Sequence, residues 1–270
     1  MAPRIIEGSS ELGTDLTPQQ REAFDRNGFL HFKQFIGAEA VAAIIAAIQE
    51  IEQRWVRADL KVLNGTPIKY GTNTDGSPMV QRFAFASQHH PVLEEFLRDP
   101  RFEAILQLVG GGARLGTHEK DGLVINHYVN AEGSNFTQMG WHTDSIRDLF
   151  LGRRVGTMLN VGIHLDDQDP RSGGLRLLPG THRQGLWGML FHKRYYMDKH
   201  ADPDEVAFDI KAGDLTVHNG NLWHRVQRSS LVGEASRRRV MYIPVITGVY
   251  EPKTEKSRMP FYHRFHHLVK

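Results

Sequence analysis

Leu123-Val124-Ile125-Asn126-His127-Tyr128-Val129 is a short run rich in β-branched and aromatic residues, the composition of a strand. Comparable apolar runs follow at 155–165, 175–178, 206–210, 215–217 and 240–245, separated by Gly, Asn, Asp and Pro. Apart from the aromatic segment 187–196, no amphipathic helix of useful length lies between them. That order points to an antiparallel sandwich or barrel rather than a parallel α/β sheet. Upstream the pattern changes. Thr17-Pro18-Gln19-Gln20 puts a capping hydroxyl before a proline, so a helix should start there and stop at Asn27-Gly28. Phe29-Leu30-His31-Phe32 reads as a short strand. From Gly37 or Ala38 onward, Val41, Ile44, Ile45, Ile48 and Ile51 mark one apolar helix face, which should pack on a sheet. Residues 61–77 read as loop, and 91–97 and 102–109 as two short helices before Gly110-Gly111-Gly112. The expected organisation is a flexible arm over 1–15 and one domain over 16–270. Its helical part covers about 16–110 and its strand core about 113–250, a mainly β (α+β) fold with the helices packed on one sheet.

The 270 residues are 40% hydrophobic and 24% charged, which suits a soluble globular chain able to bury a core. With 33 Lys+Arg against 31 Asp+Glu, the charge of +2 predicts neither nucleic acid nor an anionic membrane as the main partner. There is no cysteine, so disulfides, thiolate zinc sites, iron–sulfur clusters and a cysteine nucleophile are excluded, and any metal needs nitrogen and oxygen ligands. No apolar stretch is long enough for a signal peptide or a membrane span, and the expected location is cytoplasmic.

A histidine and an aspartate two positions apart on a strand share a face, so His-x-Asp offers an imidazole and a carboxylate to one metal. Three such pairs occur: His142/Asp144, His164/Asp166 and His200/Asp202. His200-Ala-Asp202-Pro lies in a polar loop, and His164-Leu-Asp166-Asp167 runs into a turn, so both read as scaffold or surface. His142-Thr-Asp144 follows a loop at Gly133-Ser134 and is expected at the start of a new strand. The terminal His263, His266 and His267 read as a solvated tail.

Gly140-Trp-His-Thr-Asp144, Ser172-Gly-Gly-Leu-Arg-Leu-Leu-Pro-Gly-Thr-His-Arg183, and Gly213-Asp214 followed by His218 and His224 occur in one order. Together they resemble the phytanoyl-CoA dioxygenase family. The resemblance spans roughly 16–245 and implies a double-stranded β-helix (jelly-roll, cupin-like) iron(II) oxygenase. It implies that His142, Asp144 and His224 are catalytic and bind the metal, with His218 the competitor for the third place. His218 and His224 are six residues apart, so on one strand they would face the same cavity. The implied cofactors are Fe(II), 2-oxoglutarate as co-substrate, and O2. The keto acid would be decarboxylated to succinate and CO2 as a C–H bond of a small organic metabolite is hydroxylated or otherwise oxidised. A lipid-like or natural-product substrate fits, and no phosphate-binding glycine motif argues for coenzyme A.

Arginine suits the far carboxylate of the co-substrate because its fork binds both oxygens. Strand alternation lets either Arg238 or the Arg237/Arg239 pair face inward, and the resemblance favours Arg238. The family's serine after the distal histidine is missing, since the chain reads His224-Arg225-Val226. Asn126, Gln138 and Thr157 are the candidates to replace its contact with the co-substrate. Asp144 excludes the related halogenases, which carry a small residue there. His182 and Arg183 read as turn scaffold. Trp187–Tyr196 is either a cap over an organic substrate or a covering helix, and Trp141, Leu149, Phe150 and Trp223 flank the ligands as candidate pocket walls. Two other classes stay open: an isomerase or hydrolase holding a redox-inert metal such as zinc, and a non-catalytic ligand-binding barrel, against which the intact triad speaks.

Overall fold

The computed structural model describes residues 3–6, 11–131, 134, 137–146 and 156–259. Strand β1 (Arg4–Ile6) precedes helix α1 (Pro18–Asn27), β2 (Phe29–Phe32) and the long helix α2 (Ala38–Arg57). Short strands β3 (Val62–Leu63), β4 (Thr66–Pro67) and β5 (Lys69–Thr72) lead to β6 (Pro78–Phe83), α3 (Pro91–Phe96) and α4 (Phe102–Leu106). Then come β7 (Arg114–Leu115), β8 (Val124–Asn130), β9 (Met139–His142), β10 (Met158–His164) and β11 (Gly174–Leu177). Helix α5 (Leu186–Phe191) separates these from β12 (Val206–Phe208), β13 (Leu215–Asn219), β14 (His224–Gln227) and β15 (Gly233–Ile246).

The larger sheet has the order β2-β13-β10-β15-β8-β6-β5, with β7 beside β15, and the smaller has the order β1-β12-β11-β14-β9. Sequence-distant strands are neighbours in both, as the double-stranded β-helix requires. One face of the larger sheet is apolar: Leu159, Val161 and Ile163 of β10, Leu215 and Val217 of β13, and Met241, Ile243 and Val245 of β15 join one buried cluster. Helix α2 fills that cluster with Val41, Ile44, Ile48, Ile51 and Trp55, the face its spacing marked. The alternate residues turn inward. Asn160 pairs across to His218, Gly162 to both Thr216 and Tyr242, and His164 to Val240, and the polar side chains of this set face the interior between the sheets. Gly162 is needed there, because a Cβ at that position would lie 2.6 Å from the Tyr242 ring.

The start of α1 follows from its sequence. Thr17 Oγ1 accepts from the Gln20 amide at 3.2 Å, and Gln20 Oε1 accepts from the Thr17 amide at 2.8 Å, a reciprocal cap. Gly28 ends the helix at φ 84°, a left-handed turn that a side chain would block by striking His182.

Five expectations change. Within the stretch expected as an arm, Arg4–Ile6 run parallel to Val206–Phe208, and Leu12 is buried with the α2 cluster. The free edge of β12 supplies the hydrogen-bonding groups that order them. Residues 61–77, expected as loop, contain the β3–β4 pair and β5, which joins β6 at the sheet edge. Their half-buried, polar composition hides the strand period. β15 begins at Gly233 rather than near 240, so the charged Arg237–Arg239 stretch is itself in the ladder with β8. His142 ends β9 rather than starting a strand. His218 and His224 lie on different strands, joined by a turn in which the Gly220 amide donates to the Met158 carbonyl at 2.8 Å. Residues 147–155 and 260–270 lie outside the described residues, and with them Leu149, Phe150, the start of the 155–165 run, and His263, His266 and His267. Among the described residues, no helix is long and apolar enough to cross a membrane.

Ile51 is fully buried between α2 and the larger sheet. Ile51→Ala should cost about 2–5 kcal/mol of stability, read by urea denaturation, while metal affinity per folded molecule stays unchanged.

Candidate metal centre

Strands β14 and β9 pair in the register His224↔His142, so the two imidazoles project from the same face, with ring centres 4.1 Å apart. Asp144 lies two residues past His142, beyond the end of the strand. Its position is set by the backbone, since the amides of Asp144 and Ser145 both donate to the Gly220 carbonyl, at 2.8 and 3.0 Å. One ligand atom from each of His142, Asp144 and His224 lies within 4.8 Å of the others. Each imidazole is oriented by a carbonyl that only accepts. His142 Nδ1–H donates to Gly140 O at 2.8 Å, and His224 Nδ1–H donates to Leu222 O at 3.0 Å. With Nδ1 committed in each ring, Nε2 is the atom each imidazole would offer a metal, and a nitrogen–oxygen set of two imidazoles and one carboxylate suits iron(II).

Around Asp144 the field favours the anion. Burial alone would raise its carboxyl, but the imidazoles of His224, His218 and His142 outweigh it and hold the group well below the usual carboxylate range. Burial, then repulsion from His142, pushes His224 well below an ordinary histidine. Two residues that the sequence did not place against Asp144 complete the surroundings of the carboxylate. Asn160 Nδ2 donates to Asp144 Oδ2 at 3.1 Å, and His218 Nε2 lies 3.4 Å from the same oxygen, with His218 1% exposed. Asn160 and His218 are directly paired across β10 and β13. His218 had a signal as a rival ligand, whereas Asn160 had none.

Arg238 is buried and faces a narrow cavity also lined by Tyr128, His164, Gln168, Val226 and Tyr242. Its Nε has no hydrogen-bond partner among the described residues, and its guanidinium sits 5.3 Å over the Tyr128 ring. Its neighbours turn to the opposite face and are satisfied: Arg237 Nε donates to Glu234 at 2.7 Å, and Arg239 Nε to Asp166 at 2.9 Å. His164 is held neutral, since Gln168 Nε2 donates to its Nδ1 and its Nε2–H reaches Thr216 Oγ1, both at 3.0 Å. Burial lowers it to about 3. His200 is exposed, and Asp202 pairs with Lys193.

The candidates for the missing hydroxyl separate. Asn126 is buried on the Tyr128 face of β8, and its Oδ1 has no partner. Gln138 is half-buried just before β9, and Thr157 is exposed ahead of β10, with its carbonyl accepting from Thr247 Oγ1 at 3.0 Å. Trp141 and Trp223 do not line the cavity. Adjacent in sequence to His142 and His224, they point to the other face and pack with Leu178 in a separate buried cluster. His182 holds the end of α1 through Asp25 O, as scaffold. The aromatic insert divides: Trp187 and Phe191 stack on each other in solvent, while the Tyr196 ring stacks on His142 at 4.8 Å and 23°.

The family model for phytanoyl-CoA dioxygenase (PhyH) matches residues 24–230. An ectoine dioxygenase of Bordetella parapertussis is 26% identical over 185 residues, covering 67% of this chain and 54% of that protein. The chain thus spans about half the length of the curated relatives it first matches. Among solved structures, EctD from S. alaskensis with 2-oxoglutarate and 5-hydroxyectoine has a TM-score of 0.64 at 20% identity, covering 96% of this chain and 88% of that one. The non-heme alpha-ketoglutarate-dependent carbocyclase SnoK from nogalamycin biosynthesis has a TM-score of 0.64 at 18% identity, covering 97% and 93%. Both likenesses speak for the fold.

Asn160→Ala and His218→Ala should each weaken metal binding about 10–100-fold, measured by titrating cobalt(II) or nickel(II), with little change in melting temperature. His127 and His164 are both lowered to about 3, chiefly by burial, against an ordinary 6.5. Below pH 6.5 the unfolded chain takes up protons that the folded one refuses. Stability should therefore fall between pH 6.5 and 3, by up to about 1.4 kcal/mol per pH unit for each histidine. His127→Gln should flatten that slope in denaturation curves.

Proposed function

The chain belongs to the phytanoyl-CoA dioxygenase family, and we propose that it is an iron(II)- and 2-oxoglutarate-dependent dioxygenase acting on a C–H bond of a small organic metabolite. Succinate and CO2 would be the co-products. The observation that carries this reading is one interior with two complementary features. At one end His142, Asp144 and His224 bring one ligand atom each within 4.8 Å of the others, and along the same interior a buried Arg238 has no carboxylate partner among the described residues. A guanidinium buried without an anion is costly, so this one calls for an anionic ligand.

His142 and His224 would hold iron through Nε2, and Asp144 through its carboxylate. The bound metal and keto acid would supply the activated oxygen for C–H oxidation. The chain's own residues do the rest. Asn160 holds Asp144 Oδ2, so the carboxylate keeps one orientation. Arg238 would take the far carboxylate of 2-oxoglutarate, in a wall where Val226 supplies no hydroxyl. Asn126 is our choice for the replacing polar contact, with Gln138 second and the exposed Thr157 last. Tyr128, which burial pushes up to about 12, stays protonated and leaves Arg238 free for the co-substrate. The cluster of Trp141, Leu178 and Trp223 keeps water away from the back of the ligand strands.

Anaerobic titration of the metal-free protein with iron(II) and then 2-oxoglutarate should produce the visible charge-transfer band of a chelated keto acid. His142→Ala and His224→Ala should lose both metal and band. Arg238→Ala should keep the metal but weaken 2-oxoglutarate about 30-fold or more. Iron binding without any band in the unaltered protein would overturn the proposal.

A further inference from the structure

Tyr196 is not an ordinary insert residue. Its ring lies nearly parallel to the imidazole of His142, 4.8 Å away at 23°. Because His142 Nδ1–H donates to Gly140 O, the Nε2 edge beside that stack is the one that would reach a metal. Other aromatic rings among the described residues stand further off or point away. Tyr195 meets His142 edge-on at 6.4 Å with its hydroxyl turned to the Thr143 carbonyl, and Tyr242 lies 6.5 Å from His218.

The ring is also held in place. The Tyr196 amide donates to Trp141 O, and the Trp141 amide to Asp198 O, both at 2.8 Å, so 196–198 continue the smaller sheet past its edge strand β9. Close approach requires Gly140, where a Cβ would lie 2.2 Å from the Tyr196 carbonyl oxygen. Tyr196 itself adopts φ 60°, a left-handed conformation that is strained for a bulky residue. Such strain persists only where surrounding contacts impose it, and here they hold an electron-rich ring beside a candidate ligand.

We propose that Tyr196 is a site of self-hydroxylation. When 2-oxoglutarate and dioxygen turn over with no organic substrate in place, its ring accepts the oxygen atom and becomes a catechol. This rests on the proposed dioxygenase activity. The balance closes without another reactant. 2-Oxoglutarate loses CO2, and one atom of dioxygen enters the new carboxylate of succinate. The other forms a C–O bond at the ring carbon beside the hydroxyl, and the hydrogen displaced from that carbon is retained as the proton of the new hydroxyl. The keto acid and the ring C–H bond each give two electrons, the four that reduce dioxygen. The two adjacent oxygens then offer a chelate to the metal, and the protein should acquire a new visible absorption.

The full chain is loaded with iron(II) and exposed to 2-oxoglutarate and isotopically labelled dioxygen without any organic substrate. Succinate is quantified, and tandem mass spectrometry locates label in the peptide carrying Tyr195, Tyr196 and Met197. The fragment ions separate ring hydroxylation from sulfoxide at Met197, which is 69% exposed. The expected result is one labelled oxygen on Tyr196, rising with succinate, with the new absorption lost in Tyr196→Leu while that variant still binds metal. Succinate formed with label on Tyr195, on Met197 only, or nowhere overturns the inference and leaves the dioxygenase reading standing. No succinate at all overturns both.

Discussion

Two imidazoles facing each other across one strand pair set the geometry on which the site depends. β9 and β14 meet in the register His142↔His224, and a slip of one residue would turn a ligand to the far face and bring Trp141 or Trp223 into its place. Several contacts hold that register. The ladder shifts between His224 and Val226, the Gly220 carbonyl takes two amides at Asp144 and Ser145, and residues 196–198 cover the outer edge of β9. Behind the strands, Arg225 makes a two-pronged ion pair with the buried Glu205, at 2.9 and 2.8 Å, with Arg176 3.6 Å away. A charged cluster of this kind contributes little net stability, but it is intolerant of sliding, because any slip leaves a buried charge unpaired.

The larger sheet solves a different problem, which is to carry polar groups inward without losing the fold. Its strands alternate: odd-numbered positions of β10, β13 and β15 feed the cluster under α2, and even-numbered ones face the interior. The apolar face bears the stability. The polar face then holds Asn160, His164, Thr216 and His218, with His164 bonded to Thr216 and Gln168 and Asn160 to Asp144, and places them beside the candidate ligands. His31 and Asp214, 2.8 Å apart and fully buried, tie β2 to the entry of β13 at the margin of the same sheet. The Gly-Asp pair before β13 is therefore a structural anchor for the strand that presents His218.

What was legible in the sequence followed period and punctuation. The capped start of α1, the apolar face of α2 and the strand runs near 124–130, 158–164 and 215–219 are local patterns, and local patterns survive folding. β5 and the first half of β15 were hidden, because Lys69, Thr72 and Arg237–Arg239 carry polar side chains whose place in a ladder depends on partners far away in sequence. His142 and Asp144 were legible as a His-x-Asp pair, and His224 only through motif resemblance, since the pairing that brings His142 to His224 is not written in either segment alone. Asn160 and the stacking of Tyr196 on His142 had no sequence signal. One depends on the pairing of β10 with β13, and the other on a left-handed residue in an insert.

Charge explains why a dianion suits the proposed site better than a monoanion. With iron(II) in place, two neutral imidazoles and one carboxylate leave that end of the interior with a net charge of about +1. Arg238 gives a second positive charge further along the same interior, while Arg237 and Arg239 are spent on Glu234 and Asp166 across the sheet. A keto acid with a carboxylate at each end neutralises both positions. A monocarboxylate would leave one of them unpaired in a largely dry cavity, where an uncompensated charge costs several kcal/mol. In the proposed site, facing Arg238 inward alone, rather than all three arginines, would therefore select the number of carboxylates as well as their placement.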